Sequence, residues 1–257
     1  MAKVDIKDKV ALVTGANRGI GKEIVRALIG GGVKKVYGAV RKPASLDPLV
    51  DELGGKALVP VAFDLRDEQS ARDAASVASD AQIIVANAGV MGNASVLSDD
   101  VFDTLRYELD ANLFGFIRLV RAFVPTLERN GNGAIVQLNS AVSLKCFAPE
   151  FTTYCASKAA SYSVTQALRM QLGERGISVF SVHPGPIATD MAHDSGFEDV
   201  AHPSHLVADA IVAALKSGSF HVWSDPTSKL IGDAYASFAS SVIEAEWDLE
   251  SPSGTTG

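Results

Sequence analysis

Short, almost wholly apolar segments alternate along the chain with longer segments whose apolar residues recur at helical spacing. Segments that are apolar almost throughout are typical of strands in a parallel sheet buried on both faces. Because strands and helices alternate, we predict right-handed βαβ units in an α/β, doubly wound parallel sheet with helices on both faces. The predicted strands are Val10–Thr14, Lys35–Val40, Leu58–Phe63, Gln82–Ala86, Ala134–Leu138, Val179–Val182 and Ser219–Trp223.

The segments with helical spacing predict the connecting helices. They lie at Gly21–Ile29, Ser45–Leu53, Glu68–Val77, Asp99–Glu128, Thr152–Gly173 and His205–Lys216, and a further helix is expected at Thr227–Trp247. No segment has the composition of a linker, so we expect one domain over residues 1–250. The polar stretch at 190–204 has little periodicity and predicts a substrate-binding loop, since long loops in compact domains are often lids. The Ser/Gly/Thr-rich tail at 251–257 is expected to be flexible.

Composition and charge exclude several classes of partner. Hydrophobic residues make up 47% and charged residues 21% of the chain, as is ordinary for a globular enzyme. The net charge of −7 argues against nucleic acid and anionic membranes as partners. With only two cysteines and no apolar segment near the start, a cytoplasmic protein without disulfides is expected. His193, His202 and His205 lack compact ligand spacing, so no metal site is expected.

A glycine-rich turn joins the first predicted strand to the first predicted helix. Glycines in this context allow a tight turn, close approach of backbone N–H groups to a pyrophosphate and close packing of helix on strand. The spacing differs from that of the G-x-G-x-x-G dehydrogenases, and a glycine-rich turn that binds nothing is the alternative. The turn predicts a dinucleotide site formed by Gly15, Asn17, Arg18, Gly19, Ile20 and Gly21.

The end of the second predicted strand bears on the choice of cofactor. An NAD site uses an acidic side chain there to hold the ribose 2′-hydroxyl, whereas this strand ends in Val40, Arg41 and Lys42. Arg41 can pair with a 2′-phosphate, and Arg18 can approach it from the glycine turn. NADP(H) is therefore the predicted cofactor. Under the alternative, Arg41 and Lys42 only form a solvated strand end and bind no phosphate.

Tyr154 and Lys158 are spaced so that both lie on one face of the predicted helix. A cation near a phenol can lower the phenol's pKa toward the range where proton transfer is effective. Reduction of a carbonyl needs such a group, because the oxygen must receive a proton when hydride reaches the carbon. Alone, the pair is a weak signal that two unrelated side chains on an amphipathic helix would also give.

Two further polar positions support the site. Ser140 follows the fifth predicted strand, where a hydroxyl can donate to a substrate oxygen or can simply cap the strand–loop junction. Asn112 and Gly115 interrupt an apolar stretch of the long predicted helix, and both residue types weaken a helix interior. An ordinary polar spot satisfied by water is the alternative at Asn112.

With these motifs assembled, the chain resembles the short-chain dehydrogenase/reductase family from about Asp8 to Thr189. The resemblance implies a seven-stranded parallel sheet in the order 3-2-1-4-5-6-7 and a catalytic tetrad. Within that tetrad, Tyr154 would be the acid/base and Ser140 would polarise the carbonyl. Lys158 would lower the Tyr154 pKa and bind the nicotinamide ribose, and Asn112 would hold a water that links Lys158 to solvent.

The resemblance also implies further contacts to the cofactor. Asp64 and Leu65 would meet the adenine; Asn87, Ala88 and Gly89 would line the adenosine ribose; Pro184, Gly185, Ile187 and Thr189 would wrap the nicotinamide. Arg18 and Arg41 look like the family's NADP-selecting pair. Because family members often associate through the helices that carry Asn112 and Tyr154, a homodimer or homotetramer is expected.

The chain also departs from the family pattern. Asn139 stands where the family usually has a first serine, and Ser140 is one residue further from Tyr154 than expected, which leaves Ser143 as a rival for the hydroxyl role. The family's glycine-rich ending after the last strand is replaced by a predicted helix.

Three functions follow for testing. The leading prediction is an oxidoreductase that transfers hydride between NADPH and a ketone, aldehyde or secondary alcohol, with Tyr154 as acid/base. An NADP(H)-binding sensor without turnover is the alternative that keeps the fold. An epimerase or dehydratase with tightly held NAD is the third, although such relatives tend to be longer.

Overall fold

Seven parallel strands form a single sheet in the structure, a computed structural model that describes residues 2–131, 133–196 and 198–245. The strand order is β3-β2-β1-β4-β5-β6-β7, and every neighbouring pair runs parallel. Both the fold class and the strand order predicted above are confirmed. The strands are β1 Val10–Thr14, β2 Lys35–Val40, β3 Leu58–Ala62, β4 Ile83–Ala86, β5 Ala134–Leu138, β6 Ser178–Val182 and β7 His221–Val222.

Helices cover both faces of the sheet, so that two separate apolar cores form. One core packs Ile24 and Leu28 against Ile211 and Leu215, and the other is built around Phe116 and Phe123. The helices are α1 Gly19–Gly30, α2 Asp47–Leu53, α3 Glu68–Val77, α4 Val101–Glu108, α5 Gly115–Asn130, α6 Thr152–Gly173, α7 Asp190–Asp194, α8 His205–Ser217 and α9 Pro226–Phe238.

The long helix predicted at Asp99–Glu128 is interrupted in its middle. Helix α4 continues through a π-helical segment, Leu109–Phe114, into α5. A π-helical turn adds a residue to the helical ladder and is frequent at functional sites. The segment therefore re-aims Asn112 without ending the helix, which the periodicity of the sequence alone does not reveal.

Two predicted segments differ in detail from the structure. The stretch at 190–204 is partly helical, since it contains α7 and a 3-10 turn at Glu198–Val200. The predicted helix at Thr227–Trp247 starts one residue earlier as α9 and continues as a π-helical turn at Ala239–Ile243. The end of that predicted helix and the tail at 251–257 lie outside the described residues. Within the described part, no helix has both the length and the apolar character needed to cross a bilayer.

The strand order places the carboxyl ends of β1 and β4 side by side. The chain winds outward from β1 to β3 and then crosses back to β4, so the winding reverses between these two strands. Open α/β sheets bind ligands in the crevice at such a switch point. The predicted glycine turn follows β1 and the Asn87 segment follows β4, so both border this crevice.

Candidate active site

The glycine turn is packed tightly against the start of α1. A Cβ added at Gly21 would lie 2.1 Å from the carbonyl oxygen of Gly15, so no side chain fits there. Helix α1 begins at Gly19, and the side chain of Arg18 makes no capping hydrogen bond to the backbone N–H groups of its first turn. Ile20 is half-buried against the core, and Asn17 is half-buried in the turn. This arrangement suits the approach of an anion.

Thr14 ties the glycine turn to the end of β4. Its hydroxyl accepts hydrogen bonds from the backbone N–H groups of Asn87 and Ala88, both at 3.0 Å. Asn87 Nδ2 in turn donates to the carbonyl oxygen of Thr14 at 2.9 Å. Thr14 was not predicted as a site residue; the available signal is a hydroxyl at the end of an otherwise apolar strand.

Tyr154, Ser140 and Lys158 lie together at the carboxyl edge. Lys158 is 5% exposed, and its Nζ donates to the carbonyl oxygen of Leu138 at 2.8 Å and lies 5.8 Å from the centroid of the Tyr154 ring. Ser140 shares a side-chain hydrogen bond with Tyr154. The local i, i+4 spacing and the strand end therefore bring together the three side chains that the sequence predicted.

Burial governs the protonation of these groups. It raises the pKa of Tyr154, with a smaller increase from the charge of Glu108, while the hydrogen bond with Ser140 acts in the opposite direction. Burial also lowers the pKa of Lys158 to about 8. The net direction at Tyr154 is opposite to the predicted lowering, because the loss of solvation on burial outweighs the hydrogen bond with Ser140.

Asn112 fixes the loop that follows β4. Its Oδ1 accepts from the Val90 N–H at 2.9 Å, and its Nδ2 donates to the Val90 carbonyl and to the Ser157 hydroxyl, each at 2.9 Å. Ser157 in turn donates to the carbonyl of Tyr154 at 2.9 Å. A Cβ on Gly89 would lie 3.0 Å from Asn112 Oδ1 and 3.6 Å from Lys158 Nζ, so the amide, the ammonium and this loop are close neighbours.

Ser140 and Ser143 have different tasks. The Ser143 hydroxyl is buried and accepts from the Ser140 N–H at 3.1 Å, closing a capping box at the 3-10 turn Ala141–Ser143. The Ser140 hydroxyl is half-buried and faces Tyr154. The Ser140 hydroxyl also bonds the backbone, accepting from the Val142 N–H at 3.3 Å and donating to the Pro184 carbonyl at 3.4 Å. Because Ser140 is the more exposed of the two and is hydrogen-bonded with Tyr154, the geometry favours Ser140 for the substrate-facing role.

His183, which the sequence analysis does not identify, holds the backbone of Ser140. Its Nδ1 donates to the Ser140 carbonyl at 3.1 Å, and its Nε2 accepts from the Ser181 hydroxyl at 2.8 Å. Asn139, the departure noted above, donates to Ser181 at 2.9 Å. Burial lowers the pKa of His183 to about 3, so it is a neutral member of this network.

The segment after β6 borders the same crevice. The Pro184 carbonyl accepts from the Ala141 N–H at 2.9 Å, and the Gly185 N–H donates to buried Asp225 at 2.9 Å. Ile187 is buried, and its backbone forms an isolated parallel β-bridge with His202. Thr189 caps α7, and its methyl group lies 3.0 Å from a Cβ built on Gly19, so this segment passes directly over the glycine turn.

The residues predicted to bind the adenosine half of the cofactor make separate local contacts. Asp64 accepts from the Arg66 N–H at 2.9 Å and so forms a turn, while Leu65 packs on Gly115. Arg41 is exposed just after β2. Arg18 is paired with Asp190 at the start of α7, which partly neutralises the charge that the sequence assigned to the 2′-phosphate. Among the described residues, no group of three His, Cys, Asp or Glu side chains could hold a metal ion.

A doubly wound sheet with a glycine-rich first turn, and with a tyrosine, serine and lysine gathered at the same edge, defines the class as a Rossmann-type oxidoreductase fold. The sequence profile of the short chain dehydrogenase family matches residues 9–199. The chain belongs to this family, the short-chain dehydrogenases/reductases, and is one of its oxidoreductases.

Individual relatives agree with this assignment. Galactitol 2-dehydrogenase (L-tagatose-forming) of Cereibacter sphaeroides is 34% identical over 185 residues, which cover 70% of this chain and 72% of the relative. A short chain dehydrogenase from Burkholderia cenocepacia, solved in complex with NADP, is 33% identical with a TM-score of 0.81, covering 94% of this chain and 98% of that one. A family member from Burkholderia phymatum, solved in complex with NAD, has a TM-score of 0.80 at 20% identity, covers 92% of this chain and 95% of that one, and supports the fold alone.

Proposed function

We propose that this protein is an NADPH-dependent reductase of a ketone or aldehyde, with the reverse oxidation of a secondary alcohol open to the same site. The observation that carries the proposal is the meeting of Ser140, Tyr154 and Lys158 at the carboxyl edge, next to the glycine turn. The two parts are neighbours, since a Cβ built on Gly15 would lie 3.2 Å from Ala88 and one built on Gly89 would lie 3.6 Å from Lys158 Nζ.

The residues present fit a dinucleotide. Within the turn, a side chain at Gly15 or Gly19 would be crowded and one at Gly21 would clash with the backbone, so the backbone is open to close approach there, and the first N–H groups of α1 lie where a pyrophosphate is bound in such folds. Gly89 leaves the space beside Lys158 free of a side chain. Lys158 and Tyr154 would hold the ribose nearest the reacting ring.

Each side chain has a distinct task in carbonyl reduction. The cofactor, when bound, supplies the hydride that reaches the carbonyl carbon. Tyr154 donates its phenolic proton to the carbonyl oxygen, and Ser140 donates a hydrogen bond to the same oxygen. The ammonium of Lys158 stabilises the phenolate left behind. Because burial raises the pKa of Tyr154, the phenol keeps its proton at neutral pH, as the acid of a reductase must.

The preference for NADPH over NADH is proposed on two grounds. Strand β2 ends without an acidic residue and is followed by exposed Arg41, and a relative that is 33% identical was solved with NADP. Arg18 contributes only after its ion pair with Asp190 opens. Both arginines would make charge-assisted bonds to a 2′-phosphate.

A carbonyl screen separates this proposal from the sensor alternative. Purified protein is mixed with NADPH or NADH and a panel of ketones and aldehydes, and cofactor oxidation is followed by absorbance, with binding measured in parallel by cofactor fluorescence. The proposal expects turnover that is faster with NADPH. Tight NADPH binding with no turnover on any carbonyl would favour the sensor, and nucleotide retained through purification would favour the epimerase or dehydratase.

A further inference from the structure

Glu108 is a fully buried acid beside the proposed active site. It is the last residue of α4 and is 0% exposed. Its Oε1 accepts from the Gly92 N–H at 2.6 Å, within the short range of charge-assisted hydrogen bonds. Burying a carboxylate costs free energy unless the charge is hydrogen-bonded and paired with an opposite charge. A cationic partner for Glu108 is therefore expected nearby.

The second carboxyl oxygen of Glu108 lies against α6. Oε2 and the Thr153 hydroxyl are both buried and have no partner of full hydrogen-bond geometry in the described part of the chain, although the hydroxyl is close enough to lower the pKa of Glu108 through a hydrogen bond. Thr153 immediately precedes Tyr154 on α6. The unpaired oxygen therefore lies at the end of α6 that carries Tyr154, Cys155 and Lys158, which are the titratable groups that interact with Glu108.

We propose that Glu108 is a positioning residue that keeps the buried Lys158 ammonium charged, and so sets the pH range in which Tyr154 acts. The inference rests on the proposed function, because it concerns the working state of the same tyrosine and lysine. The carboxylate has a second task through Gly92, since this bond anchors the loop after β4 that also carries Gly89 and Val90.

Two opposing effects on the pKa of Lys158 explain why a buried anion is needed. Burial lowers the pKa of Lys158 to about 8, and the charge of Glu108 acts against that decrease. His183 also faces Lys158 but is neutral at the pH of interest, because burial lowers its pKa to about 3. Burial also raises the pKa of Glu108, whereas the hydrogen bonds from Gly92 and Thr153 and the charge of Lys158 lower it and so favour the carboxylate. The carboxylate of Glu108 acts against the decrease at Lys158, and its loss would let the ammonium deprotonate nearer neutrality.

The decisive variant is Glu108→Gln. Glutamine keeps an acceptor for the Gly92 N–H but removes the charge. Removing a negative charge lowers the pKa of both Lys158 and Tyr154, so the alkaline limb of kcat/KM for carbonyl reduction should move to lower pH by about one unit or more. Asp103→Asn is the matched control, because it removes one negative charge from the exposed face of the same helix and should leave the profile in place.

A purely structural role predicts a different outcome. Glu108→Gln would then lower the melting temperature while its pH profile superimposed on that of the wild type, and this result would overturn the inference. Thr153→Val tests the neighbouring hydroxyl, and it should leave the position of the alkaline limb within the range of the control because it carries no charge.

An NMR titration keeps the inference testable without turnover. Lysine labelled at the ε-carbon reports the protonation of Lys158, whose signal is assigned by its absence in Lys158→Arg. The titration should move to lower pH in Glu108→Gln and stay in place in Asp103→Asn. An unmoved titration refutes the role of Glu108 even if the enzyme is active, whereas a shifted titration in a protein without carbonyl turnover refutes only the proposed function.

Discussion

His183 shows at the scale of one residue how burial turns a titratable group into a structural one. Its ring stacks on Trp223 with centroids 4.9 Å apart and meets Tyr162 edge-on at 4.8 Å. Both ring nitrogens are hydrogen-bonded, to Ser140 and Ser181. A protonated ring would lose the bond that Nε2 accepts and would bring a charge into the protein interior, and burial therefore lowers the pKa of His183.

This burial makes stability depend on acidity. Folded His183 stays neutral down to about pH 3, whereas in the unfolded chain it takes up a proton near its ordinary pKa of 6.5. The unfolded state binds more protons between these values, so His183 contributes a loss of up to about 1.4 kcal/mol per pH unit as pH falls through that window. His183→Asn should lack this slope in denaturant unfolding at several pH values, and it should also lower kcat by loosening Ser140.

The control for this prediction is His205→Asn, which removes an exposed histidine at the start of α8. Its unfolding free energy should follow that of the wild type at every pH. Parallel curves for wild type and His183→Asn would show that the buried ring is not neutral in the folded state, or that it is not coupled to unfolding.

Arg41 carries the prediction on cofactor choice. A charge-assisted bond contributes about 1.5–3 kcal/mol, which corresponds to about tenfold to a hundredfold in kcat/KM. Arg41→Asp should lower the ratio of kcat/KM for NADPH over NADH by that amount, since an acid there repels the 2′-phosphate and accepts from a 2′-hydroxyl. Steady-state kinetics with both cofactors measures the ratio. The control is Lys56→Asp, which reverses a charge at another exposed site. An unchanged ratio in Arg41→Asp would show that Arg41 does not bind the 2′-phosphate.

The sequence predicted best those residues whose roles depend on local spacing. Tyr154 and Lys158 share a helical face wherever the helix lies, and Ser140 follows an apolar strand. Glu108 and His183 carry no such signal, because their importance arises from loops and strands distant in sequence that close around them. The pKa of Tyr154 was predicted in the wrong direction for the same reason, since the degree of burial is a property of the folded chain.

At the scale of elements, Gly115 allows the helix that follows the π-helical segment to pack closely against a neighbouring loop. Gly115 begins α5 directly after that segment, and a Cβ there would lie 2.9 Å from both Cβ and the backbone oxygen of Leu65. The missing side chain thus lets the loop after β3 pack on the helix that carries Asn112. The sequence marked Gly115 as a break in helical preference, but the contact with Leu65 could be seen only in the fold.

Gly115→Ala should therefore destabilise the protein although alanine is the better helix former. Overpacking against a backbone atom costs about 1–3 kcal/mol, which should appear as a lower denaturation midpoint. Gly173→Ala, at the end of α6, meets nothing within 4 Å and should be neutral or slightly stabilising. If both variants behaved alike, the close contact between α5 and Leu65 would not exist in solution.

At the scale of the whole molecule, the topology assembles the site. Parallel strands all end at one edge, and the reversal between β1 and β4 opens a crevice there. Residues after β1, β4, β5 and β6 meet at that edge, although they are spread over most of the chain. The alternation of strands and helices was enough to predict this sheet, whereas the conformation of 190–204 and the end of the predicted last helix depend on packing that alternation does not encode.

The turnover of Tyr154→Phe with NADPH and a carbonyl substrate tests directly whether Tyr154 is the proton donor. We expect kcat to fall on the order of 10²–10⁴-fold with NADPH affinity nearly unchanged, because only the proton donor is removed. Tyr107→Phe, which removes an exposed hydroxyl from α4, should keep its turnover. A Tyr154→Phe variant that reduces the carbonyl at the wild-type rate would show that Tyr154 is not the acid of the reaction.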